Sequence, residues 1–450
     1  MSEPLLRLEV GAVAAGGFCV ARHEGRVVFV RHALPGEVVM ARLDPASSGP
    51  RAAGKRFWRA DAVEVLEPSP DRVVPPCPAA RPGGCGGCDW QHASLAAQRL
   101  SKAAVIRDQF SRLAGIELPD LVVEPPGGPS NGTEPDDGLG WRTRVRFAVD
   151  ARGRAGFRSA RSHAVIPVAG CPIAHPGVAA ADIPGRSWPG AAAVEVVDGS
   201  PGPALVIVEE SSGPPPSGRR GARSASPPRE PVRRVEGRRT WVEHHVSTPL
   251  LPEPRRFRVS DGGFWQVHPA APATLVDAVL GVTMPAAGER AVDLYAGVGL
   301  FAAALALRVG PAGFVHAVES EGRACKDARR NLHDLPQVRI TQGLVEASPD
   351  PDDPDHTADT ADASHWSSGR ADVVVLDPPR AGAGPEVMAR IAALRPRVVA
   401  YVSCDAASLA RDITHAAQNG YRLTGLRAFD MFPMTHHVEC LATLHPNEIV

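Results

Sequence analysis

The chain has 450 residues, of which 44% are hydrophobic, and its 49 basic and 50 acidic residues leave a formal net charge of −1. That length predicts two or three domains, because a single core stops growing at about 250–300 residues. The balanced charge excludes a polybasic or polyacidic protein, and no apolar run is long enough for a transmembrane helix. The first residues, MSEPLLRLEV, show no secretion signal. We therefore expect a cytoplasmic protein without a membrane partner.

The first 67 residues are short alternating segments separated by Gly and Pro, such as FCVARHEG and RVVFVRHALPG. Five such segments predict a small β-barrel over residues 1–67. The run GGFCVARHEGRVVFVRHALPGEVV resembles the TRAM domain, an OB-like barrel that binds RNA in RNA-modifying enzymes. A barrel of other use is the alternative. In the RNA-binding interpretation, five arginines are candidate phosphate contacts: Arg22, Arg26, Arg31, Arg56 and Arg59.

Residues 68–255 predict a central, β-rich region for binding RNA. Its early helix at 94–115, SLAAQRLSKAAVIRDQFSRLAG, is expected to pack on the C-terminal domain. The run WRTRVRFAVD alternates as a strand, with Arg142, Arg144 and Arg146 on one face. A row of arginines suits a phosphate backbone, and an edge strand protected by charge explains it equally well.

Four cysteines of this region have the spacing of a metal or cluster site. Cys77, Cys85 and Cys88 follow the pattern C-x7-C-x2-C, and Cys171 lies after the arginine-rich strand. Four thiolates can hold a [4Fe–4S] cluster or a tetrahedral zinc ion. The spacing alone does not choose between them.

Three low-complexity stretches interrupt the chain at 124–140, 211–231 and 347–369. They are rich in Pro, Gly, Ser, Ala and Asp and can bury little apolar surface. Each stretch is therefore predicted to be a mobile loop.

From residue 256 to 450, apolar β-branched runs alternate with helical stretches. The runs AVDLYAG, GFVHAVE, ADVVVLDPP and RVVAYVSC predict strands, and stretches such as LFAAALALRV predict the helices between them. This alternation predicts an α/β domain whose parallel sheet is covered on both faces.

The run AVDLYAGVGLF predicts a ligand site, because a strand there ends in a glycine turn that opens a helix. Gly297 and Gly299 allow the backbone to approach a ligand closely. The next strand ends at Glu319, whose carboxylate can accept both ribose hydroxyls of an adenosine. The pattern Asp-x-x-x-Gly-x-Gly resembles motif I of the class I S-adenosylmethionine (SAM) methyltransferases, which have a Rossmann-like fold. A tight turn without a ligand is the alternative.

Three further side chains near the ends of predicted strands are candidates for the reaction: Asp377, Cys404 and Glu439. Asp377 ends ADVVVLDPP, and Cys404 follows RVVAYVSC at the same predicted sheet edge. A thiolate there is a good nucleophile, and a buried structural Cys is the alternative. Glu439, in FPMTHHVECLATL, can take a proton from carbon when it is partly desolvated, and a solvated strand acid is the alternative. The neighbouring His436 and His437 are assigned no chemistry.

Five motifs in this order resemble the SAM-dependent RNA 5-methyluridine methyltransferases of the TrmA/RumA type: GGFWQVHP, DLYAGVGLF, LDPPRAG, YVSCD and FPMTHHVE. The resemblance covers nearly the whole chain apart from the low-complexity stretches. It implies that Cys404 is the nucleophile and Glu439 the base. It also implies the residues that bind SAM, which are Gln266, Tyr295, Gly297, Gly299, Glu319 and Asp377.

The resemblance further implies a group at the four cysteines. Several rRNA-directed members of this family carry a [4Fe–4S] cluster at matching cysteines, whereas tRNA-directed members commonly lack both the cluster and the TRAM domain. We therefore expect a [4Fe–4S] cluster with a structural role, with zinc as the alternative, at Cys77, Cys85, Cys88 and Cys171.

These expectations combine into one function, the SAM-dependent methylation of C5 of a uridine in RNA by a monomer. The resemblance favours 23S rRNA as the substrate. The alternatives are the same reaction on tRNA, a catalytically silent RNA-binding protein, and an amino-methyltransferase that uses Asp377-Pro-Pro. Arg380 stands where such amino-methyltransferases have an aromatic residue.

The chain departs from the family pattern at two places. Asp405 and Ala406 follow the nucleophile where the family usually has Asn-Pro, and Met434 stands where the family often has His. Neither change removes the nucleophile or the base. The negative charge of Asp405 is expected to raise the pKa of Cys404.

Overall fold

The computed structural model describes residues 5–47, 56–127, 137–199, 202–210, 232–346 and 365–447. The stretch 211–231, and most of 124–140 and 347–369, lie outside these residues, so their prediction as mobile loops stays a prediction. Within the described ranges, no helix is both long and apolar enough to cross a membrane.

The first five strands close into a barrel with the order β1-β2-β3-β5-β4. They are β1 (Leu5–Ala14), β2 (Phe18–His23), β3 (Arg26–Arg31), β4 (Val38–Leu43) and β5 (Phe57–Glu67). Alternate side chains point inward, so that Val28, Val30 and Ala60 are fully buried in the barrel core. The predicted N-terminal barrel is therefore confirmed, and its assignment as a TRAM domain stays a prediction.

The rest of the chain contains sixteen strands and seven α-helices in its described part. The strands are β6 (Val123–Glu124), β7 (Arg144–Val149), β8 (Ala155–Arg158), β9 (Val165–Pro167), β10 (Ala191–Val197), β11 (Leu205–Glu210), β12 (Arg233–Val235), β13 (Trp241–Val246), β14 (Arg255–Ser260), β15 (Arg290–Leu294), β16 (Phe314–Glu319), β17 (Val338–Gln342), β18 (Val373–Leu376), β19 (Val398–Ser403), β20 (Tyr421–Phe429) and β21 (Glu439–Pro446). The helices are α1 (Leu95–Ala114), α2 (Pro176–Ala179), α3 (Ala271–Thr283), α4 (Leu300–Val309), α5 (Gly322–Asn331), α6 (Gly384–Ala393) and α7 (Ala406–Gln418).

The central region is an antiparallel sheet with the order β12-β11-β10-β7-β8-β9, followed by the hairpin β13-β14. Strand β7 carries Arg144 and Arg146 of the arginine row and pairs with β10 on one side and β8 on the other. The edge-strand interpretation of the row is therefore wrong. Arg144 binds Glu195 of β10 at 2.7 Å and Arg146 binds Glu209 of β11, so these acids partly neutralise the row.

The C-terminal domain is built on an eight-stranded sheet with the order β17-β16-β15-β18-β19-β21-β20-β6. Strands β15 to β19 run parallel, and β21 runs antiparallel to both of its neighbours. Helices α3 and α4 contribute to the core on one face, and α1, α6 and α7 to the core on the other. This confirms the predicted α/β methyltransferase-type fold with a barrel and a central β-rich region.

Helix α1 comes from the first quarter of the chain and packs against α7 of the C-terminal domain. It begins at Ser94, whose hydroxyl accepts a hydrogen bond from the Ala97 N–H, and ends at Gly115 in the left-handed conformation. The chain then adds β6 to the edge of the large sheet, in parallel with β20. The N-terminal half therefore supplies one helix and one strand to the C-terminal core.

A buried ion pair joins the barrel to the segment that leaves it. The Glu37 carboxylate is fully buried and accepts hydrogen bonds from the Leu34 and Ser69 N–H groups and from the Arg72 guanidinium. Burial alone would raise the pKa of Glu37, and these hydrogen bonds lower it below its ordinary value.

We expect Arg72→Met to destabilise the protein by about 3–5 kcal/mol, because it leaves a buried carboxylate without its charged partner. Arg112→Met is the matched control, since Arg112 pairs with Asp108 on the exposed surface of α1. That control is expected to change stability by less than about 0.5 kcal/mol. Urea unfolding followed by circular dichroism measures both effects, and equal shifts of the two variants would contradict the prediction.

Candidate active site

The site lies at the carboxyl ends of the parallel strands. Strands β15, β16, β18 and β19 are neighbours in the sheet, so the residues that follow them meet at one edge. The chain places Tyr295, Asp377 and Cys404 directly after three of these strands, and Glu319 at the end of the fourth. The predicted residues of the glycine turn and the nucleophile thus come together at this edge.

The glycine turn is shaped by two left-handed residues. Gly297 has a φ of 55° and Gly299 a φ of 93°. A Cβ at Gly299 would lie 2.7 Å from Leu332 Cδ1, so a side chain there would clash as well as strain the backbone. The Gly297 N–H donates to Glu319 Oε2 at 2.8 Å, which fixes the carboxylate beside the turn.

Tyr295 occupies the start of this turn in a strained conformation. Its φ is 61°, which a residue other than Gly adopts at a cost. Its hydroxyl donates to Glu346 at 2.7 Å, and burial together with Glu346 raises the pKa of Tyr295. The Asp377 N–H donates to the Leu294 carbonyl at 3.3 Å, which holds the end of β18 next to the turn.

Gln266 lies outside the sheet edge, in the segment between β14 and α3. It is buried beside Trp265. The next residue, Val267, accepts hydrogen bonds from the N–H and the hydroxyl of Thr143, which fix this segment on the central region. Helix α3 then packs against α4, the helix that the glycine turn opens.

The antiparallel register of β21 brings the predicted nucleophile and base together. Ser403 of β19 and Cys440 of β21 form the last pair of this ladder, and Cys404 and Glu439 are the residues that adjoin it. The Glu439 carboxylate lies close enough to Cys404 for its charge to raise the pKa of the thiol. Glu439 is the first residue of β21, and only 3% of it is exposed.

The charges at this pair oppose ionisation of both groups. Burial, Glu439 and Asp377 raise the pKa of Cys404 to about 11, although the Arg380 guanidinium acts in the opposite direction. Burial and Asp377 raise the pKa of Glu439 well above its ordinary value, and burial raises the pKa of Asp377 to about 7. A buried carboxyl group whose pKa is raised in this way is, once ionised, a stronger proton acceptor than an ordinary carboxylate.

The leading charges that shift the pKa of Cys404 are those of Glu439, Arg380 and Asp377. The predicted effect of Asp405 on this pKa stays a prediction. The Asp405 carboxylate accepts a hydrogen bond from the Ser408 N–H at 2.8 Å and caps α7. Cys404 therefore lies just before a helix N-terminus, whose dipole favours a thiolate.

A cleft opens in front of Cys404, and its lining includes residues that sequence reasoning missed. The barrel contributes its β1–β2 turn, α1 contributes Lys102 and Gln109, and the C-terminal domain contributes Arg380 and His437. The Arg380 guanidinium lies 3.4 Å from His437 Nε2. Arg380 could have been placed in the site from the sequence, because it lies three residues after Asp377. The position of His437 in the cleft could not be predicted without the tertiary structure.

The four cysteines of the predicted cluster line one cavity between the segment after the barrel and the loop after β9. The Gly87 N–H donates to Cys85 Sγ at 3.4 Å. Within the described residues, no three or more His, Cys, Asp or Glu side chains are arranged as a metal site. The structure therefore groups the four thiols without drawing them together as ligands of one ion.

The five barrel arginines lie in three kinds of surroundings. Arg31 is buried and lies 3.8 Å from Asp89, so its prediction as a phosphate contact is wrong. Arg22 and Arg56 are exposed. Arg26 lies over the Trp58 ring, and Arg59 lies near the rings of Phe18 and Phe57.

Comparisons with known proteins agree with this architecture. Residues 359–446 match the family model described as tRNA (uracil-5-)-methyltransferase. An RNA methyltransferase of Streptomyces coelicolor, described as uncharacterized, is 46% identical over 99% of this chain and 95% of its own. The 23S rRNA (uracil(1939)-C(5))-methyltransferase RlmD of Pectobacterium atrosepticum is 32% identical over 97% of this chain and 93% of its own.

A solved structure of similar fold matches nearly the whole chain. It is a tRNA (uracil-54, C5)-methyltransferase from Pyrococcus abyssi in complex with S-adenosyl-L-homocysteine. It covers 98% of this chain and 100% of its own, with a TM-score of 0.64 and 21% sequence identity. At that identity, the likeness concerns the fold.

The raised pKa of Cys404 predicts slow alkylation that accelerates steeply with pH. Between pH 7 and pH 9 the rate should rise by about tenfold per pH unit, because only the thiolate reacts and its fraction grows in that proportion. Arg380→Gln should slow alkylation further, since it removes the charge that lowers this pKa. Iodoacetamide labelling read by peptide mass spectrometry measures both rates.

Arg370→Gln is the control, because Arg370 is an exposed residue outside this cleft. It should leave the rate unchanged. A pH-independent rate, or equal rates in Arg380→Gln and the wild type, would contradict the prediction.

Proposed function

The chain belongs to the RNA 5-methyluridine methyltransferase family, and we propose that it methylates C5 of a uridine in 23S rRNA through a covalent adduct between Cys404 and C6 of the base. Its relatives of more than 30% identity are named RNA methyltransferases, and those with a named target act on uracil C5. The single observation that carries the mechanism is the proximity of Cys404 and Glu439, which adjoin the last pair of the ladder between β19 and β21. A nucleophile and a base at one edge of the sheet fit a reaction that adds to C6 and removes a proton from C5.

The proposed chemistry follows from the weak nucleophilicity of uracil C5. The Cys404 thiolate forms a bond to C6, and the C5–C6 π electrons move onto the C4 carbonyl as an enolate. C5 then takes the methyl group of SAM, whose sulfur keeps the electron pair of the broken bond. Glu439 removes the C5 proton, the C5–C6 double bond forms again, and the C6–S bond breaks to return the thiolate.

The surrounding charges fit these steps. Arg380 is the cation whose charge lowers the pKa values of both Cys404 and Glu439. It therefore favours the thiolate that attacks and the carboxylate that accepts a proton. Asp377 raises both values, so its protonation would ease ionisation of the pair.

The methyl donor is proposed to occupy the glycine turn. Glu319 is fixed beside Gly297, where it can accept the ribose hydroxyls, and Tyr295 follows Leu294, whose carbonyl accepts the Asp377 N–H. Gln266 is proposed as a further contact from the segment before α3. The target base must leave its stack to reach Cys404, so it is expected to be flipped into the cleft.

The barrel and central region are proposed to hold the RNA. The cleft in front of Cys404 is continuous with the β1–β2 turn of the barrel. Beyond that turn, Arg26, Arg59 and the partly exposed Trp58 and Phe57 combine cations with stacking surfaces, as single-stranded RNA sites do.

A [4Fe–4S] cluster is proposed at Cys77, Cys85, Cys88 and Cys171, with zinc as the alternative. Four thiols that line one cavity fit the donor chemistry of either group, and a backbone N–H directed at Cys85 Sγ is typical of cluster sulfurs. Bound there, the group would tie the segment after the barrel to the central region.

tRNA is the second candidate substrate. The matching family model and the similar solved structure both carry tRNA in their descriptions. The relatives of known target at 32% identity act on 23S rRNA, and the first of them matches 97% of this chain. We therefore propose 23S rRNA as the first candidate substrate and tRNA as the second.

The test uses anaerobically purified protein, labelled SAM, and unmodified 23S rRNA and tRNA in separate reactions. 5-Methyluridine is expected from rRNA by nucleoside mass spectrometry. Cys404→Ala should lose about a thousandfold or more of the activity, and Glu439→Gln should accumulate a methylated protein–RNA adduct that resists denaturing gels. Label in tRNA alone would overturn the substrate, and activity in Cys404→Ala would overturn the adduct.

The cluster is tested by elemental analysis and visible absorbance of the anaerobic protein. About four iron atoms per chain, with the broad absorbance of a cluster, are expected. Cys88→Ser should lose most of the bound iron, whereas Cys325→Ser, a buried Cys of α5, should keep it. One zinc atom per chain in place of iron would support the alternative. A protein that contains neither iron nor zinc would contradict the proposal.

A further inference from the structure

The loop between β20 and β21 forms one wall of the cleft. It runs from Asp430 to Val438, and its last three residues line the cleft together with Cys404. The loop is flanked by Phe429 and Glu439, which are paired with each other in the sheet. The loop therefore decides the shape of the space into which a flipped base must fit.

Helix α1 holds the start of this loop by a buried charge. The Lys102 ammonium binds the Asp430 carboxylate and donates to the Phe432 carbonyl at 3.1 Å. Both side chains are fully buried. Arg99 adds a second bond to Asp430 at 3.2 Å. A buried ammonium and carboxylate are stable only while they keep each other as partners.

The middle of the loop is held by an amide of the same helix. Gln98 is fully buried, and its Oε1 accepts the Met434 N–H at 2.7 Å. Its Nε2 donates to the Trp90 and Ala93 carbonyls at 3.1 and 3.0 Å, which fixes the orientation of the amide. Met434 has a φ of 68°, a strained conformation that persists only where the surroundings enforce it.

The segment before α1 holds the end of the loop. The Asp89 and Trp90 N–H groups both donate to the Met434 carbonyl, at 3.0 and 3.1 Å. The Asp89 carboxylate lies 2.6 Å from His436 Nδ1. The peptide groups on both sides of Met434 are thus fixed from residues more than 300 positions earlier in the chain.

From this arrangement we infer that Gln98 and Lys102 are positioning residues, which hold the loop 430–438 in the shape that admits the target uracil to Cys404. Gln98 acts through Met434, and Lys102, which also lines the cleft, acts through Asp430 and Phe432. The inference rests on the proposed function. In this inference, α1 controls how the target base enters the cleft before Cys404 attacks it.

The experiment separates base entry from RNA binding and from the later proton transfer. In a Glu439→Gln background the methylated adduct accumulates, so its rate of formation reports base entry, attack and methyl transfer without the later proton removal. Adding Gln98→Met should slow adduct formation by about tenfold or more, because small displacements of a site wall cost that much. RNA affinity, measured by filter binding, should stay within about twofold, because phosphate contacts dominate it.

Gln98→Glu should restore much of the lost rate, since a protonated carboxyl group in this buried place keeps one acceptor and one donor. Arg107→Met is the matched control on the same helix, because Arg107 binds the Leu118 and Leu121 carbonyls away from the loop. It should lower thermal stability without changing the rate of adduct formation. Lys102→Met combined with Asp430→Leu replaces the whole buried pair by apolar groups, which is often neutral for stability, and should slow the adduct as Gln98→Met does.

The inference is overturned if Gln98→Met and Arg107→Met lower thermal stability alike and leave adduct formation at the parent rate, or if RNA affinity falls in parallel with that rate. If Gln98→Met does not fold, the same comparison is made with the Lys102→Met/Asp430→Leu variant, and an adduct formed at the parent rate overturns the inference. Failure of the proposed function looks different, because Glu439→Gln alone then traps no adduct and the wild type makes no 5-methyluridine.

Discussion

The site depends on one reversal of strand direction. Strands β15 to β19 are parallel and deliver their carboxyl ends to one edge, whereas β21 enters the sheet from that edge. The first residue of β21 therefore lies where the other strands end. A shift of this register by one residue would turn Glu439 to the opposite face of the sheet, and Cys404 would lose its partner. The proposed chemistry is possible because the ladder between β19 and β21 fixes this register over five residue pairs.

That ladder sits near the edge of the sheet, and the N-terminal half stabilises it there. Strand β20 covers β21, β6 covers β20, and α1 packs over α7 on the same side. The two strand residues of β6 would have little stability alone. They remain in place because α1 precedes them and buries Ile106 and Phe110 in the core of the C-terminal domain. Helix α1, although it comes early in the chain, thus stabilises the pairing of the last strands.

Much of the fold could be predicted from local patterns. Period-two segments with Gly and Pro breaks predicted the barrel, and apolar runs that alternate with helices predicted the parallel sheet. Gly297, Glu319, Asp377 and Cys404 could be placed at one edge because the ends of parallel strands share it. The roles of these residues, and of Glu439 and Gln266, remain predictions from resemblance.

Other features depend on contacts that no local pattern contains. Arg31 looked like a surface residue, but it is buried beside Asp89 from the next segment. The arginine row had no evident partner in sequence, but Glu195 and Glu209, which lie 51 and 63 residues later, pair with Arg144 and Arg146. Gln98 and Lys102 were two polar residues of a helix without a partner in sequence. Their partners lie more than 300 residues away, so only the tertiary structure shows what they do.

The pairing of β6 with β20 has a consequence for how the protein is made. Synthesis proceeds from the N-terminus, so the barrel and the central sheet can fold while the last strands are still inside the ribosome. Helix α1 and β6 must wait, because their partners are among the last thirty residues of the chain. Contacts of such large sequence separation form slowly. The nascent chain therefore acquires its barrel and central sheet before its reactive cleft, and the cleft is complete only after the chain has been released.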